Sequence, residues 1–280
     1  MVRIYIGYIM VTGKIMEESP IPKKDLGQHW LTDKDTLKSI VDLAEISEDE
    51  VVLEIGPGLG DLTEILLDST NNVIAVEFDE SLIEGLRQKF KNTTLQIENE
   101  DIRKFNLTRL PKGYKVVANI PYYLTSYLIR LLSQSSNPPD VAVLLIQQEV
   151  AERLAAKPGQ LSVIGIMAQI YWDIEIGPIV PPTMFTPPPK VNSQVIRLTR
   201  KAKTDIPNLF EGDFFRLVKI WFSQRRKTLN NNLSAGLHIS KDEARKLTDS
   251  VGLKPGVRAQ ELTIVDWKNL DRVVSSRHNK

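Results

Sequence analysis

The sequence predicts an α/β fold with a mostly parallel sheet, followed by a small all-α domain at the carboxyl end. Short apolar runs alternate with helical patterns over the first 200 residues, which is typical of parallel strands joined by helices. A glycine-rich turn follows an early apolar run at residues 56–60. After Lys201 the alternation stops and only helical patterns remain. We therefore predict two domains, residues 1–200 and residues 201–280.

The composition excludes several kinds of site. The 280 residues are 42% hydrophobic and contain no cysteine, which rules out disulfides and thiolate metal ligands. The three histidines, His29, His238 and His278, are scattered along the chain, so we expect no metal centre. The lack of cysteine favours the reducing cytoplasm.

Charge is distributed unevenly along the chain, although the net charge is only +1. Residues 201–280 contain 16 Lys and Arg against 9 Asp and Glu, a net of +7, while residues 1–200 carry a net of −6. This asymmetry indicates an enzymatic body with a basic appendage for a polyanion. A solvated basic tail is the alternative.

Residues 1–18 are compatible with three interpretations. The run from Val2 to Val11 is mostly apolar, but Gly7 interrupts it and it is far too short to span a membrane. It has no small-residue cleavage site, which argues against a secretory signal. An extra strand, a flexible arm and translation from upstream of Met16 all remain open.

The first strand of the body ends in a turn suited to ligand binding. Val51 to Ile55 is apolar, Gly56-Pro57-Gly58-Leu59-Gly60 follows, and a helix begins near Asp61. Glycines allow a tight turn and close approach of a ligand, and the helix start supplies free N–H groups. Dinucleotide enzymes use a similar turn, but Glu54 would repel a pyrophosphate and the spacing is G-x-G-x-G. Glu54 suits an amino-acid ammonium instead, contacted through water.

Acidic residues follow the next two predicted strands. Asn72 to Val76 leads to Glu77, which can accept both hydroxyls of a ribose. Leu95 to Ile97 leads to Asp101, which can accept a hydrogen bond from an adenine amine. Since parallel strands end at one edge of a sheet, these residues predict a nucleoside pocket. Three sets of apolar residues at helical spacing predict one helix before the first strand, one between the second and third strands and one after the fourth: Leu37, Ile40, Val41 and Ala44; Leu82, Ile83, Leu86 and Phe90; Leu124, Tyr127, Leu128 and Leu131.

The fourth strand, Val116 to Asn119, ends in a group suited to an exocyclic amine. The adenine amine is a poor nucleophile because its lone pair is delocalised into the ring. The Asn119 amide oxygen and the Ile120 carbonyl could each accept one of its hydrogens and turn the nitrogen toward a methyl donor. Tyr122, after the proline that stops the strand, could stack on the base. A strand-ending turn with a structural aromatic is the alternative.

The rest of the body contains a predicted strand, two helices and a further strand: Val141 to Ile146, Glu149 to Ala156, Ser162 to Gln169 and Val191 to Leu198. A proline-rich loop before the last strand can present Phe185 rigidly. Phe185 either holds a flipped base opposite Tyr122 or anchors the loop. The residues leave both readings open.

The basic appendage is predicted to begin with one amphipathic helix. Its apolar positions recur at helical spacing, at Phe214, Val218, Trp221, Phe222, Leu229 and Leu233. Cationic side chains lie opposite them and include Arg225, Arg226 and Lys227, which are candidates for RNA phosphate contact. A merely solvated face is the alternative. Two further helices are predicted over Ser240 to Leu247 and Ile264 to Val274.

These motifs together resemble the class I S-adenosylmethionine-dependent methyltransferases, and specifically the ribosomal RNA adenine N6,N6-dimethyltransferases of the small subunit. The resemblance rests on Glu54 to Gly60, Glu77, Asp101, Asn119 to Tyr122, Gly27 to Leu31, Phe185 to Val191 and Phe222 to Lys227. It spans about Lys23 to Leu262, nearly the whole chain.

The resemblance implies a Rossmann-like, seven-stranded, mostly parallel sheet and a helical RNA-binding domain. It implies a monomer that dimethylates two adjacent adenosines in the 3′-terminal hairpin loop of 16S rRNA during small-subunit biogenesis. S-adenosylmethionine is the implied donor, with no metal. The implied donor-binding residues are Gln28, His29, Leu31, Glu54, Gly56, Gly58, Glu77, Asp101, Ile102 and Asn119. Those implied to hold the target adenine are Asn119, Tyr122 and Phe185.

One departure from the family and two rival functions remain. The family motif usually reads Gln-Asn-Phe-Leu, whereas this chain has Gln28-His29-Trp30-Leu31. If residue 29 contacts the donor through backbone atoms, histidine can replace asparagine without loss. If the family uses the amide side chain of the asparagine, the role of His29 is in doubt. The rivals are a large-subunit rRNA methyltransferase of the antibiotic-resistance type and a non-catalytic RNA-binding assembly factor. A nicotinamide dehydrogenase is disfavoured by Glu54 and the glycine spacing.

Overall fold

The computed structural model describes residues 10–11, 14–15, 20–202, 211–224 and 226–278. Within them, a seven-stranded sheet is the main feature. Its strands are β1 (Val52–Ile55), β2 (Val73–Glu77), β3 (Gln96–Asn99), β4 (Lys115–Asn119), β5 (Val141–Gln147), β6 (Trp172–Val180) and β7 (Ser193–Arg200). They lie in the order β3-β2-β1-β4-β5-β7-β6.

Helices connect the strands of the sheet, and further helices follow the last strand. The body contains α1 (Lys34–Asp42), α2 (Asp61–Ser69), α3 (Glu80–Lys89), α4 (Thr125–Gln134), α5 (Gln148–Leu154) and α6 (Val163–Gln169). The appendage contains α7 (Glu211–Trp221), α8 (Leu229–Leu237), α9 (Lys241–Ser250) and α10 (Ile264–His278). None of the helices in the described ranges has the length and apolar character that a membrane crossing requires.

Parallel pairing brings the carboxyl ends of the inner strands to one edge. β1 pairs in parallel with β2 and β4, β2 with β3, and β4 with β5, while β7 is antiparallel to both of its neighbours. The register sets Ile55 beside Val76 and Asn119 beside Leu145. The glycine turn, Glu77 and Asn119 therefore emerge at the same edge. The predicted mostly parallel α/β fold is confirmed.

Alternate residues of the strands feed two hydrophobic clusters, one on each face of the sheet. Val52 and Val117 belong to the cluster that packs on α1 and α2. Leu53 and Val116 belong to the other cluster, which also includes Trp221 and Trp267 of the appendage. The appendage thus shares a core with the sheet. The division into domains at residue 200 stays a prediction.

β6 is a strand that the residue pattern did not predict. It lies at the open edge of the sheet, and most of its residues are at least partly exposed. Its charged residues and the pair Gly177-Pro178 resemble a loop. A proline is tolerated there because an edge strand leaves some N–H groups without a sheet partner.

The prediction of one helix from Phe214 to Leu233 is wrong. α7 ends at Trp221, and α8 begins at Leu229. The buried side-chain amide of Asn232 donates to the carbonyls of Trp221, at 2.6 Å, and Gln224, at 3.3 Å. These bonds satisfy carbonyls at the end of α7 and stabilise the turn. Arg226 and Lys227 are exposed in this turn; Arg225 and residues 1–9 lie outside the described residues.

Candidate active site

One cavity lies at the carboxyl edge of the inner strands, where open α/β sheets bind ligands. All of the residues predicted to bind the donor or the target base line it: Gln28, His29, Leu31, Glu54, Gly56, Gly58, Glu77, Asp101, Ile102, Asn119, Tyr122 and Phe185. The fold therefore brings these twelve residues together from six separate segments of the chain. Their individual roles stay predictions.

The glycine turn after β1 forms one wall of the cavity. Gly56, Gly58 and Gly60 have φ values of +70°, +59° and +81°, a region that side chains rarely adopt. A Cβ at Gly58 would lie 3.1 Å from the Trp30 ring, and one at Gly60 would lie 2.5 Å from the Phe90 ring. A turn of this shape therefore favours glycine at both positions.

Glu54 lies on the cavity floor and is 1% exposed. Its Oε2 accepts a hydrogen bond of 2.6 Å from the Thr63 hydroxyl, but its buried Oε1 has no partner within the described part of the chain. Burial raises the pKa of Glu54 to about 8. A cationic partner beside Glu54 would lower this pKa again and favour the charged carboxylate.

Trp30 also presents an unpaired polar atom at this cavity. It is 9% exposed and packs close to Gly58. Its buried Nε1 donor has no hydrogen-bond partner among the described residues. An indole N–H can only donate, so this atom suits an anionic or carbonyl group. The sequence reasoning treated Trp30 only as part of a motif and missed this donor.

Glu77 links the glycine turn to the end of β2. Its Oε1 accepts a bond of 2.7 Å from the Asp79 N–H, and its Oε2 accepts a bond of 3.2 Å from the Gly58 N–H. Burial raises the pKa of Glu77, and these two bonds oppose the rise. Each oxygen keeps a second lone pair, so the carboxylate can accept two hydroxyls in addition.

Asp101 is bound by Arg103, a residue that the sequence reasoning did not single out. Arg103 Nε lies 2.9 and 2.8 Å from the two carboxylate oxygens, Nη2 lies 2.5 Å from Oδ2, and the backbone N–H of Arg103 lies 2.9 Å from Oδ1. The bonds from Arg103 lower the pKa of Asp101. An adenine amine must therefore share or replace one of these contacts.

Asn119 is oriented by the backbone of His29. Its Nδ2 donates a hydrogen bond of 3.1 Å to the His29 carbonyl. Because an amide presents its oxygen opposite its NH2 group, this bond leaves Oδ1 as the atom that can accept from a ligand. The contact runs through the backbone of residue 29, so the departure from the family's asparagine does not affect it.

The His29 side chain connects two other parts of the site. Its Nδ1 lies 2.7 Å from the Pro187 carbonyl, which can only accept, so Nδ1 carries the proton. Its ring lies nearly parallel to the Tyr122 ring, with centroids 6.0 Å apart and planes inclined by 24°. Tyr122 is further fixed by a 2.8 Å bond between its hydroxyl and that of Ser193.

Phe185 is 4% exposed and packs in the cluster that contains Leu31 and Leu37. A two-residue antiparallel pair holds it there, with Phe185 opposite Leu31 and Thr186 opposite Trp30. The ring anchors its loop and also lines the cavity. Its contact with a target base stays a prediction.

Gln28 connects the segment before α1 to Asp79, the residue that precedes α3. Its Nε2 donates to Asp79 Oδ2 at 2.9 Å, and Lys23 Nζ binds Asp79 Oδ1 at 2.6 Å. Burial opposes ionisation of Asp79, but hydrogen bonds from Lys23, Ser81 and Gln28 outweigh it and lower the pKa to about 2. The Gln28 amide thus supports the cavity wall through protein contacts.

Acidic residues outnumber basic ones in the cavity lining. The acidic residues are Glu54, Asp61, Glu77, Glu100 and Asp101, and Arg103 is the arginine. A lining of this charge attracts a cationic ligand and opposes a pyrophosphate. The argument against a dinucleotide therefore extends from Glu54 to the whole cavity.

Comparison with known proteins gives a consistent result over most of the chain. Residues 22–274 match the family model described as ribosomal RNA adenine dimethylase. The ribosomal RNA small subunit methyltransferase A of Dehalococcoides mccartyi (strain CBDB1) is 37% identical over 252 residues, which cover 89% of this chain and 87% of that protein. Its namesake from Streptococcus uberis is 38% identical over 261 residues, covering 89% and 90%.

Two solved structures are similar over nearly their full length. A dimethyladenosine transferase from Plasmodium falciparum matches with a TM-score of 0.77 at 25% identity, covering 89% of this chain and 98% of that one. The 23S rRNA methyltransferase ErmE matches with a TM-score of 0.71 at 25% identity, covering 88% and 99%. The similarity therefore includes both the sheet and the helices that follow it.

Proposed function

The chain belongs to the ribosomal RNA adenine dimethylase family, and we propose that it dimethylates the N6 amines of two adjacent adenosines in small-subunit rRNA, using S-adenosylmethionine. The proposed target is the 3′-terminal hairpin loop of 16S rRNA, in the cytoplasm, with the protein acting as a monomer. One observation carries the proposal. The Asn119 amide is held with its oxygen available at the cavity that also contains the predicted donor-binding residues.

The residues present fit S-adenosylmethionine. The amino-acid end of that molecule carries both an ammonium and a carboxylate, and the cavity offers an unpaired buried acceptor, Glu54 Oε1, and an unpaired buried donor, Trp30 Nε1, in the described part of the chain. Glu77 retains acceptor capacity for the ribose hydroxyls, and Asp101 and Ile102 are the predicted partners of the adenine. When bound, S-adenosylmethionine supplies a methyl group that its positively charged sulfur has already activated.

Asn119 and Ile120 orient the target amine. The Asn119 Oδ1 and the Ile120 carbonyl each accept one N–H, which turns the nitrogen toward the methyl donor and favours its pyramidal form, so that its lone pair is no longer delocalised into the ring. Tyr122 would pack against the base, and the bound donor would supply the methyl group to the nitrogen that Asn119 and Ile120 orient. The proton on the methylated nitrogen is then released to water, so the residues need no strong base.

His29 is proposed to position these groups rather than to bind the donor with its side chain. Its carbonyl orients Asn119, its ring lies beside Tyr122, and its Nδ1 binds the loop that carries Phe185. A displacement of about 1 Å in such groups can cost about 100-fold in rate. The usual asparagine of the family could keep the first contact and would lose the ring.

A large-subunit target is the second candidate, because the similarity to ErmE also extends over the appendage. The small-subunit target is favoured by the more identical relatives, which are named small-subunit methyltransferases. In the appendage, Arg226 and Lys227 are exposed in the turn after α7 and are proposed to contact RNA phosphates. The predicted Arg225 belongs to the same proposed contact.

The test uses unmethylated small and large ribosomal subunits in separate reactions with radiolabelled donor. We expect label in the small subunit alone, and N6,N6-dimethyladenosine in its digested rRNA, mapped by reverse-transcriptase stops. Label in the large subunit alone would establish the second candidate. No label in either, together with failure to bind S-adenosylhomocysteine in calorimetry, would instead support a non-catalytic assembly factor.

A further inference from the structure

Two aromatic side chains remain exposed beside the cavity. Among the large hydrophobic side chains that the described residues expose, the aromatic ones are Phe78, 56% exposed, and Tyr123, 63% exposed. Both line the cavity. Exposed rings forgo the free energy of burial, so their concentration at one cavity indicates a surface for flat ligand groups.

The two rings belong to different ends of the cavity. Phe78 lies between Glu77 and Asp79, directly after β2, at the end predicted to hold the donor's nucleoside. Tyr123 lies in the 3-10 turn Tyr122–Leu124, directly after the Asn119 to Tyr122 motif. Tyr123 therefore lies beside the proposed position of the target base, and one strand, β1, separates β4 from β2, which carries the proposed ribose partner Glu77.

The Tyr123 ring lies near Gly27. A Cβ built at Gly27 would lie 3.5 Å from Cδ1 and Cε1 of the ring, which is ordinary contact distance. Gly27 itself has φ +62°, a conformation that a side chain would strain. Because Gly27 has no side chain, nothing from this residue covers the ring, and most of the ring surface is open to a ligand.

Arg103 adds a cation to the same rim. Its side chain is 54% exposed, and Asp101 holds its guanidinium at 2.5 Å. The pKa of Arg103 is raised by Asp101 and, to a smaller extent, by the neighbouring Tyr123 and Tyr127. Tyr123 and Arg103 both line the cavity. An exposed aromatic face and a guanidinium at one cavity match a single-stranded nucleotide, whose base stacks and whose phosphate pairs with the cation.

We infer that Tyr123 binds the RNA base next to the target adenine by stacking on its exposed face. The inference rests on the proposed function and extends it to a second nucleotide. Stacking requires the aromatic face and not the hydroxyl, so phenylalanine and tryptophan should replace tyrosine here. The contact should affect RNA binding and leave donor binding unchanged.

The experiment compares Tyr123→Ala, Tyr123→Phe and Tyr123→Trp with Ile179→Ala, a control that truncates a half-exposed apolar side chain on the edge strand β6. For Tyr123→Ala we expect KM for unmethylated small subunits to rise by roughly tenfold or more. The Kd for S-adenosylhomocysteine, measured by calorimetry, should stay within about twofold. Tyr123→Phe, Tyr123→Trp and the control should keep a KM close to that of the unsubstituted protein.

Three results would overturn the inference. An unchanged KM for Tyr123→Ala would remove the RNA contact. An equal loss in Tyr123→Phe would assign the effect to the hydroxyl, and a matching rise in the Kd for S-adenosylhomocysteine would assign the ring to the donor. The proposed function fails separately, when the unsubstituted protein labels neither subunit.

Discussion

The two ends of the cavity, one proposed for methyl transfer and one proposed to bind the donor, differ in how many of their polar atoms already have hydrogen-bond partners. At the transfer end, Asn119 and Tyr122 already have partners, at 3.1 Å from the His29 carbonyl and 2.8 Å from the Ser193 hydroxyl. At the donor end, Glu54 Oε1 and Trp30 Nε1 are buried without a partner in the described ranges. The end proposed for methyl transfer is therefore preorganised, as electrostatic catalysis requires, and the proposed donor would supply the missing partners at the other end.

The largest effect should come from breaking the preorganised end. We expect Asn119→Ala to lower kcat for methyl transfer by about 100- to 1000-fold, because the amine loses its orienting acceptor. Calorimetric binding of S-adenosylhomocysteine should change little. Asn192→Ala, which removes an exposed amide bound to Gln148, serves as the control and should retain its activity. Normal turnover by Asn119→Ala would contradict the assigned role.

Glu54 tests the donor end through pH. Since its pKa is raised to about 8, the folded protein holds this proton over a range where the unfolded chain has released it. The contribution of Glu54 to the free energy of unfolding is therefore complete below about pH 4.5 and declines as pH rises toward 8. We expect Glu54→Gln to raise the Tm by at least about 3 °C at pH 8.5 and to leave it nearly unchanged at pH 5.

The same variant should weaken binding of S-adenosylhomocysteine by about tenfold, because a neutral amide replaces the partner of an ammonium. Glu98→Gln is the matched control, since Glu98 forms an exposed pair with Arg109. A Tm difference independent of pH, or unchanged ligand affinity, would show that Glu54 is not the unsatisfied group that the donor completes.

His29 tests how far the transfer end depends on side-chain packing. We expect His29→Asn to lower kcat by about three- to tenfold while the Kd for S-adenosylhomocysteine is unchanged, because the carbonyl contact survives and the ring contact is lost. His29→Phe should recover part of the loss. Steady-state kinetics of the two variants, together with calorimetry, separate this role from donor binding, which would instead raise the Kd.

The smallest effects should arise outside the cavity. Arg226→Gln and Lys227→Gln should each weaken RNA binding by only a few-fold and reduce the salt dependence of binding by about one charge. A filter-binding series in salt measures both quantities. Lys38→Gln, which removes an exposed cation from α1, is the control. Equal slopes for all three variants would remove the turn after α7 from the RNA contact.

The sequence predicted the strands that end at the cavity because each has an apolar run followed by a polar or glycine-rich end. It missed β6, whose exposed edge position removes the apolar pattern. It also merged α7 and α8, since the turn between them depends on Asn232, a contact from eleven residues beyond Trp221. The spacing of apolar residues along the chain does not reveal such a contact.

The sequence predicted which residues belong to the site better than it predicted the hydrogen bonds between them. All twelve residues predicted for the site line the cavity. The pairing of Arg103 with Asp101 and of His29 with Asn119 was not predicted, because it depends on the positions of side-chain and backbone atoms in the folded chain. The unpaired state of Glu54 Oε1 follows from burial, which a single sequence does not reveal. The motifs therefore indicated which residues line the cavity, and the structure showed which of their polar atoms already have hydrogen-bond partners.

The most direct test of this contrast is a crystal structure of the protein with S-adenosylhomocysteine. We expect Glu54 Oε1 and Trp30 Nε1 to gain hydrogen-bond partners, directly or through ordered water. We expect the Asn119–His29 and Tyr122–Ser193 contacts to stay near 3.1 and 2.8 Å. If Asn119 instead turned away from the cavity, or if both buried atoms stayed unpaired beside the ligand, the account would be contradicted.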